Sequence, residues 1–170
     1  MHTVAIIGAG PLGRWLAVAA ARAGFRVFLE DVMPSNLALA SQAASDASLT
    51  AVECVSSIED AVRQADLAID CVPDELESKL EILWLLDRMA PPRTVFATPT
   101  TRLSIADLAS CTYRPEKCVA IALDPRDFSH VPEQGFVVLQ ITERTARETV
   151  DCVTDFWVRM GFDVKVELVS

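Results

Sequence analysis

Short apolar runs alternate along this chain with longer stretches whose apolar positions recur at helical spacing. Residues 4–7 are a β-branched run that reads as a buried strand, and the Ala- and Leu-rich stretch ending at Gly24 reads as a helix. Residues 26–29 form a second strand that ends on Glu30 and Asp31. The pattern then predicts an Ala-rich helix over 36–47, a short strand over 49–54 and a helix over 57–64. Ser57 followed by Asp60 resembles a helix-start signature. Residues 67–72 are a buried strand running into Pro73 and Asp74, and the long helix over 75–89 is stopped by Pro91 and Pro92. A strand over 94–97, a short helix over 104–110 and strands over 117–123 and 135–141 follow. An amphipathic helix over 145–160 ends at Gly161, and residues 163–168 form a last strand. Strand–helix alternation of this kind predicts an α/β fold, a doubly wound, mostly parallel sheet with helices on both faces. No repeat or linker interrupts it, so residues 1–170 are expected to form one domain.

The first turn changes the picture most. The strand runs directly into Gly8-Ala9-Gly10-Pro11-Leu12-Gly13, the following helix opens there, and Asp31 stands 23 residues after Gly8. A Gly-x-Gly-x-x-Gly that closes a strand, opens a helix and meets an acid at the end of the next strand is the Rossmann dinucleotide fingerprint. Gly8 permits the tight turn, Gly10 has no Cβ to keep a pyrophosphate from the backbone, and Gly13 lets the helix lie close to the strand. The helix N-terminus supplies free N–H groups and the positive dipole end. Pro11 removes one donor but suits a first helical turn, and Leu12 and Gly13 keep theirs. Asp31, or alternatively Glu30, is placed to accept hydrogen bonds from the adenosine ribose. A carboxylate there repels a 2′-phosphate, and Val32-Met33-Pro34 offers no arginine to hold one. The expected cofactor is NAD, in preference to NADP.

The net charge of −9 weighs against nucleic acid or an anionic membrane as main partner, and leaves a phosphate site dependent on local backbone dipoles. No apolar run approaches a membrane span and no secretory leader precedes the first strand, so a cytoplasmic protein is expected. Cys54, Cys71, Cys111, Cys118 and Cys152 are odd in number and form no Cys-x-x-Cys pair, and His2 and His130 are the only histidines. Neither a metal site nor a disulfide framework is expected.

Three further segments carry a resemblance. AIDCVPDELESKL over 68–80, FATPTTRLSI over 96–105 and Arg114-Pro115-Glu116-Lys117, in order after the glycine loop, resemble the cofactor domain of the 3-hydroxyacyl-CoA dehydrogenase family along nearly all 170 residues. The resemblance implies an NAD-linked oxidoreductase of fatty-acid metabolism, with Val72, Pro73 and Asp74 on the cofactor side at a strand's carboxyl end. Asp74 takes the place of a Glu near the nicotinamide, and Lys79 that of a lysine beside the cofactor or CoA. Read from residues alone, Asp74 is also a helix N-cap candidate and Lys79 a solvated helix lysine. Thr101 falls at the family's catalytic-region serine, or is a turn threonine. Pro99 replaces the family's Asn on the cofactor side.

The departures bear on catalysis. The family's general base, a His held by a Glu, belongs in the strand before an Asn-Pro, and this chain reads Ala120-Ile121-Ala122-Leu123-Asp124-Pro125. The Glu belongs in the strand at 135–141, where Val138, Leu139 and Gln140 stand; Glu133 precedes it. His130 resembles a second family histidine that is not the base, or is a loop histidine, and is the one candidate replacement. The family's CoA-binding helical hairpin does not fit between Asp31 and Ser57, and the sequence ends at Ser170, where the family's helical domain would begin. The expectation is an NAD(H)-binding domain, weak or inactive alone. The alternative is a genuine dehydrogenase of 3-hydroxyacyl-CoA or a small hydroxy acid, completed by self-association or by a separate helical-domain partner.

Overall fold

The computed structural model describes residues 2–125 and 135–169. The strands are β1 (Thr3–Ile7), β2 (Arg26–Glu30), β3 (Val52–Val55), β4 (Leu67–Asp70), β5 (Val95–Pro99), β6 (Cys118–Ile121), β7 (Phe136–Ile141) and β8 (Asp163–Leu168). Between them lie the helices α1 (Pro11–Arg22), α2 (Pro34–Asp46), α3 (Ile58–Val62), α4 (Leu76–Met89), α5 (Ile105–Ser110) and α6 (Arg147–Arg159). All eight strands join one sheet in the order β3-β2-β1-β4-β5-β6-β7-β8, parallel except where β7 runs against β6. The strand order reverses between β1 and β4, and the chain ends that flank this switch point form the natural ligand crevice of a doubly wound sheet.

The pleat divides the core. Val4, Ile6, Val27 and Leu29 face one side, where Leu12 and Leu16 of α1 meet Val153, Phe156 and Trp157 of α6. Ala5, Ile7 and Phe28 face the other, under Val62 of α3, Leu83 and Leu86 of α4, and Leu108 of α5. Trp15 stacks on Trp157 at 6.5 Å between ring centroids and ties α1 to α6. Arg114 fixes the end of α4, donating to the Asp87 carboxylate and to the carbonyls of Asp87, Ala90 and Pro91.

Element ends differ from the sequence pattern where side chains or turns decide them. Pro34 opens α2 two residues early, because proline suits a first helical turn. The strand expected from residue 49 begins at Val52, since Ser48 at φ 54° and the Leu49 N–H bonded to Ala44 O close α2 in a Schellman-type turn. Ser57 caps α3, its Oγ accepting from the Asp60 N–H at 3.2 Å. Among the described residues, no helix is long and apolar enough to cross a membrane, and no three His, Cys, Asp or Glu side chains group to hold a metal.

Candidate functional site

The glycine loop is set by contacts that other residues would break. Gly8 sits at φ +100°, donates to Glu30 O at 2.8 Å, and a Cβ there would stand 3.0 Å from Cys71 O. A Cβ on Gly13 would fall 1.8 Å from Gly8 O, so α1 can lie this close to the loop only with glycine at that position. Gly10, the N-cap of α1, is different: a Cβ would meet nothing within 4 Å. Its freedom from a side chain serves the open space in front of the helix. The Arg14 N–H bonds to Gly10 O at 3.0 Å, which leaves the amides before it as the unpaired donors of a first turn. Those donors and the dipole of a twelve-residue helix face whatever approaches Gly10.

A cleft of about 560 Å³ opens there. Of the residues the sequence offers for a cofactor, Gly8, Gly10, Pro11, Asp31, Val72 and Pro73 line it, joined by Ile7, Glu30, Val32, Asn36, Ile58, Cys71, Ile82 and Pro125. Asp31 is held by three donors: Ala9 N (2.8 Å) and Asn36 Nδ2 (3.1 Å) on Oδ2, and Met33 N (2.7 Å) on Oδ1. A carboxylate offers about four acceptor positions, so one remains for a ligand hydroxyl. Asp31 also clamps the glycine loop to the start of α2. Cys71 is no nucleophile; burial first, then the charge of Asp70, pushes its thiol far above the usual range. Glu30 is only 4% exposed, and burial together with the Asp31 charge raises its carboxyl to about 7.

Other expected contacts lie elsewhere. Leu12 turns its side chain into the core and Gly13 is covered by the loop, so only backbone remains for a ligand at these two positions. Lys79 is neither solvated nor in the cleft. It is fully buried beneath the end of β4, with Nζ 3.3 Å from Asp70 Oδ2, 3.4 Å from Asp70 O and 3.5 Å from Val72 O. Asp70 also accepts from Val72 N and Thr98 Oγ1; burial pushes its carboxyl up, and the Lys79 ammonium opposes that. Asp74 is not the helix cap, which is Glu75, and its carboxylate is occupied. It accepts from Thr100 Oγ1 at 2.5 Å and Thr101 N at 3.2 Å, while Arg102 donates to the Asp74 carbonyl at 2.6 Å. Asp74 thus ties the β4–α4 loop to the β5–α5 loop. Pro99 is buried at the end of β5 and does not line the cleft, and Thr101 is exposed beside Asp74. Sequence reasoning passed over Asn36, Ile58 and Ile82, which carry no motif, and gave Glu30 only as a second choice at the ribose.

At the position expected for a general base, Ile121 is fully buried and pairs across β6 and β7 with Leu139. Ala122 donates its N–H to Val138 O. No side chain in this pair of strand ends can take a proton. His130 and Glu133 lie outside the described residues.

A glycine cradle open at Gly10, a helix N-terminus, an acid with one acceptor position left and an aliphatic slot beyond it fit a dinucleotide. The family described as "3-hydroxyacyl-CoA dehydrogenase, NAD binding domain" matches residues 3–166. This chain belongs to that family. The domain is accordingly an NAD-binding one. A probable 3-hydroxybutyryl-CoA dehydrogenase of Bacillus subtilis is 30% identical over 90% of this chain and 62% of its own length. The 3-hydroxyadipyl-CoA dehydrogenase of Escherichia coli is 27% identical over 95% of this chain and 36% of its own. The chain therefore spans about three fifths or less of these two relatives. Among solved structures, the 3-hydroxyacyl-CoA dehydrogenase of Archaeoglobus fulgidus superposes with a TM-score of 0.86 at 26% identity, covering all of this chain and 57% of that one. The (S)-3-hydroxybutyryl-CoA dehydrogenase of Ralstonia eutropha shares the fold, with a TM-score of 0.88 at 22% identity over all of this chain and 64% of that one.

Proposed function

We propose that residues 1–170 act as one NAD(H)-binding unit that prefers NAD to NADP and oxidises 3-hydroxyacyl-CoA negligibly on its own. The observation that carries this is the contrast between the switch point, with its intact cradle at Gly8, Gly10 and Asp31, and the end of β6, where an apolar Ile121–Leu139 pair stands where a proton acceptor would be needed. When bound, NAD supplies the hydride acceptor. This chain's own residues bind it: first-turn amides of α1 take the pyrophosphate, Asp31 takes a ribose hydroxyl, and aliphatic walls take the base. Positioned general base catalysis is worth about 10² to 10⁴ in rate, and Thr101 can polarise an oxygen without accepting its proton. The free cysteines suit a reducing cytoplasm, where we place the protein.

A second reading is a dehydrogenase of a 3-hydroxyacyl-CoA or small hydroxy acid, completed by another copy or a separate helical partner. Phe136 at 69% exposure and Leu168 at 64%, at the β7–β8 end of the sheet, offer apolar surface for such an addition. Calorimetric titration separates the claims. NADH should bind at least about tenfold more tightly than NADPH, or about 1.4 kcal/mol. Asp31→Ala should weaken NADH and narrow that gap. Equal affinity for both cofactors in wild type would remove the assignment of Asp31. Steady turnover of NAD with short-chain 3-hydroxyacyl-CoA would favour the second reading, and its loss in His130→Ala would identify a relocated base.

A further inference from the structure

Glu30 and Asp31 are the two acids that line the cleft, and among the described residues the Glu30 carboxyl accepts no hydrogen bond, unlike Asp31 or the nearby Asp70 and Asp74. Its neighbour Asp31 has three, Asp70 has a lysine, an amide and a hydroxyl, and Asp74 has a hydroxyl and an amide. The pleat of β2 sends Glu30 to the face of Phe28 and Ile7, opposite Ile7 of β1 and Val55 of β3. There it lines the cleft with Ile58, Val72 and Ile82, and it is 4% exposed. Its carboxyl oxygens reach the open space of the cleft, since Trp157 Nε1 is the one enclosed side-chain polar atom without a partner among the described residues. It lies beside Asp31, the ribose acceptor of the proposed reading, and the aliphatic walls around it suit the faces of a flat heterocycle.

We propose that Glu30, carrying its proton, pairs with the adenine base of the bound dinucleotide, its hydroxyl donating to a ring nitrogen and its carbonyl oxygen accepting from the exocyclic amine. This rests on the NAD-binding reading above. The neutral acid matches a donor–acceptor edge that an ionised carboxylate meets only by half. The surrounding charges favour that state. Asp31 is the charge beside it; Ile7, Val55, Ile58, Val72 and Ile82 bring none. On α3, Glu59 and Asp60 are exposed, and Asp60 is engaged by Arg63 and Ser57. Arg26 lies at the other end of β2 and pairs with Glu53. Burial and Asp31 hold the free carboxyl at about 7, and an anionic cofactor that also expels water raises it further. The sign follows: below about 7 the proton is already present and affinity is flat, whereas above it binding must recover a proton and weakens by up to about tenfold per pH unit.

The test is calorimetry of NADH, ADP-ribose and nicotinamide mononucleotide at pH 6.5, 7.5 and 8.5, in buffers of differing ionisation heat, with circular dichroism to check the fold. Wild type should lose about 20-fold in NADH affinity from pH 6.5 to 8.5, with proton uptake rising toward one per ligand. ADP-ribose should show the same dependence and nicotinamide mononucleotide none. Glu30→Gln presents a donor and an acceptor without a titratable proton, and should keep the pH 6.5 affinity and lose the dependence. Glu30→Leu should bind weakly at every pH. A flat wild-type profile, a profile that survives in Glu30→Gln, or a dependence missing with ADP-ribose overturns this role for Glu30 while leaving NAD binding intact. Folded wild type that binds no NADH at any pH overturns both.

Discussion

Replacing Lys79 by methionine separates a ligand contact from an internal counter-ion. Lys79 and Asp70 are both fully buried and 3.3 Å apart, and the ammonium also holds two carbonyls that shape the floor of the cleft. Lys79→Met keeps the stem and removes the charge. Asp70 would retain the Val72 amide and the Thr98 hydroxyl, but its charge would be uncompensated in the interior. Breaking one side of a buried pair costs about 3–5 kcal/mol. That is a large part of the roughly 5–15 kcal/mol that holds a domain together.

The loss depends on pH. Burial already raises the Asp70 carboxyl, and without Lys79 it rises further above its unfolded value. The folded variant then keeps a proton that the unfolded chain releases, so stability falls by about 1.4 kcal/mol per pH unit between the two values. Urea denaturation at pH 5 and pH 8 should show the larger defect at pH 8. Asp70→Asn combined with Lys79→Met should be more stable than Lys79→Met alone, because the amide needs no counter-ion and still accepts from Val72 and Thr98. On the folded protein, the NADH affinity of Lys79→Met should stay within a few-fold of wild type. A variant that loses less than about 1 kcal/mol of stability but tenfold or more of NADH affinity would refute this reasoning and return Lys79 to the ligand.

Gly13→Ala should cost about 3 kcal/mol or more, since its Cβ would collide with Gly8 O at 1.8 Å, a backbone atom that cannot swing away. Gly10→Ala should fold within about 0.5 kcal/mol of wild type and lose NADH affinity at least tenfold, because its Cβ meets only the open space at the helix N-terminus. Denaturation midpoints and calorimetry read both variants, and an unstable Gly10→Ala or an unperturbed Gly13→Ala would invert the assignment. Glu30→Gln should become more stable relative to wild type as pH rises: the folded carboxyl keeps its proton to about 7 while the unfolded one releases it near 4.5. The gap should widen by about 2 kcal/mol between pH 5.5 and 8.5; a constant gap would place the Glu30 carboxyl near its ordinary value.

The alternation of strands and helices was legible because each strand's apolar residues face two cores, and the glycine loop was legible because its demands are local. Gly8 and Gly13 contact each other across five residues, so their spacing alone carries the turn. The partners of the charged residues were not legible for the opposite reason. Asp74 meets Thr100 and Thr101, and Asp70 meets Thr98, across a strand crossover of more than twenty residues. A resemblance puts Lys79 and Asp74 near the ligand but does not show that each already has a partner within the protein. Glu30 carried a usable signal: it follows Phe28 by two on a strand, so it had to point into the same apolar face.

The distribution of charge around the cleft explains how a protein of net charge −9 can hold an anionic dinucleotide. Asp31, Asp70 and Asp74 each accept from donors of the protein itself, and Lys79 sets a full opposing charge against Asp70. Glu30 lacks such donors, and its raised carboxyl keeps it neutral over the lower half of the physiological range. The attraction for pyrophosphate then falls to the amides and dipole of α1, short-range and little screened by salt when partly buried. Binding should therefore change less between low and high salt than for a site built on lysines or arginines. The same economy is absent at the end of β6, where Ile121 and Leu139 offer neither a base nor a donor. On the proposed reading the nucleotide is held at the glycine loop, while the apolar Ile121–Leu139 pair itself contributes no proton acceptor.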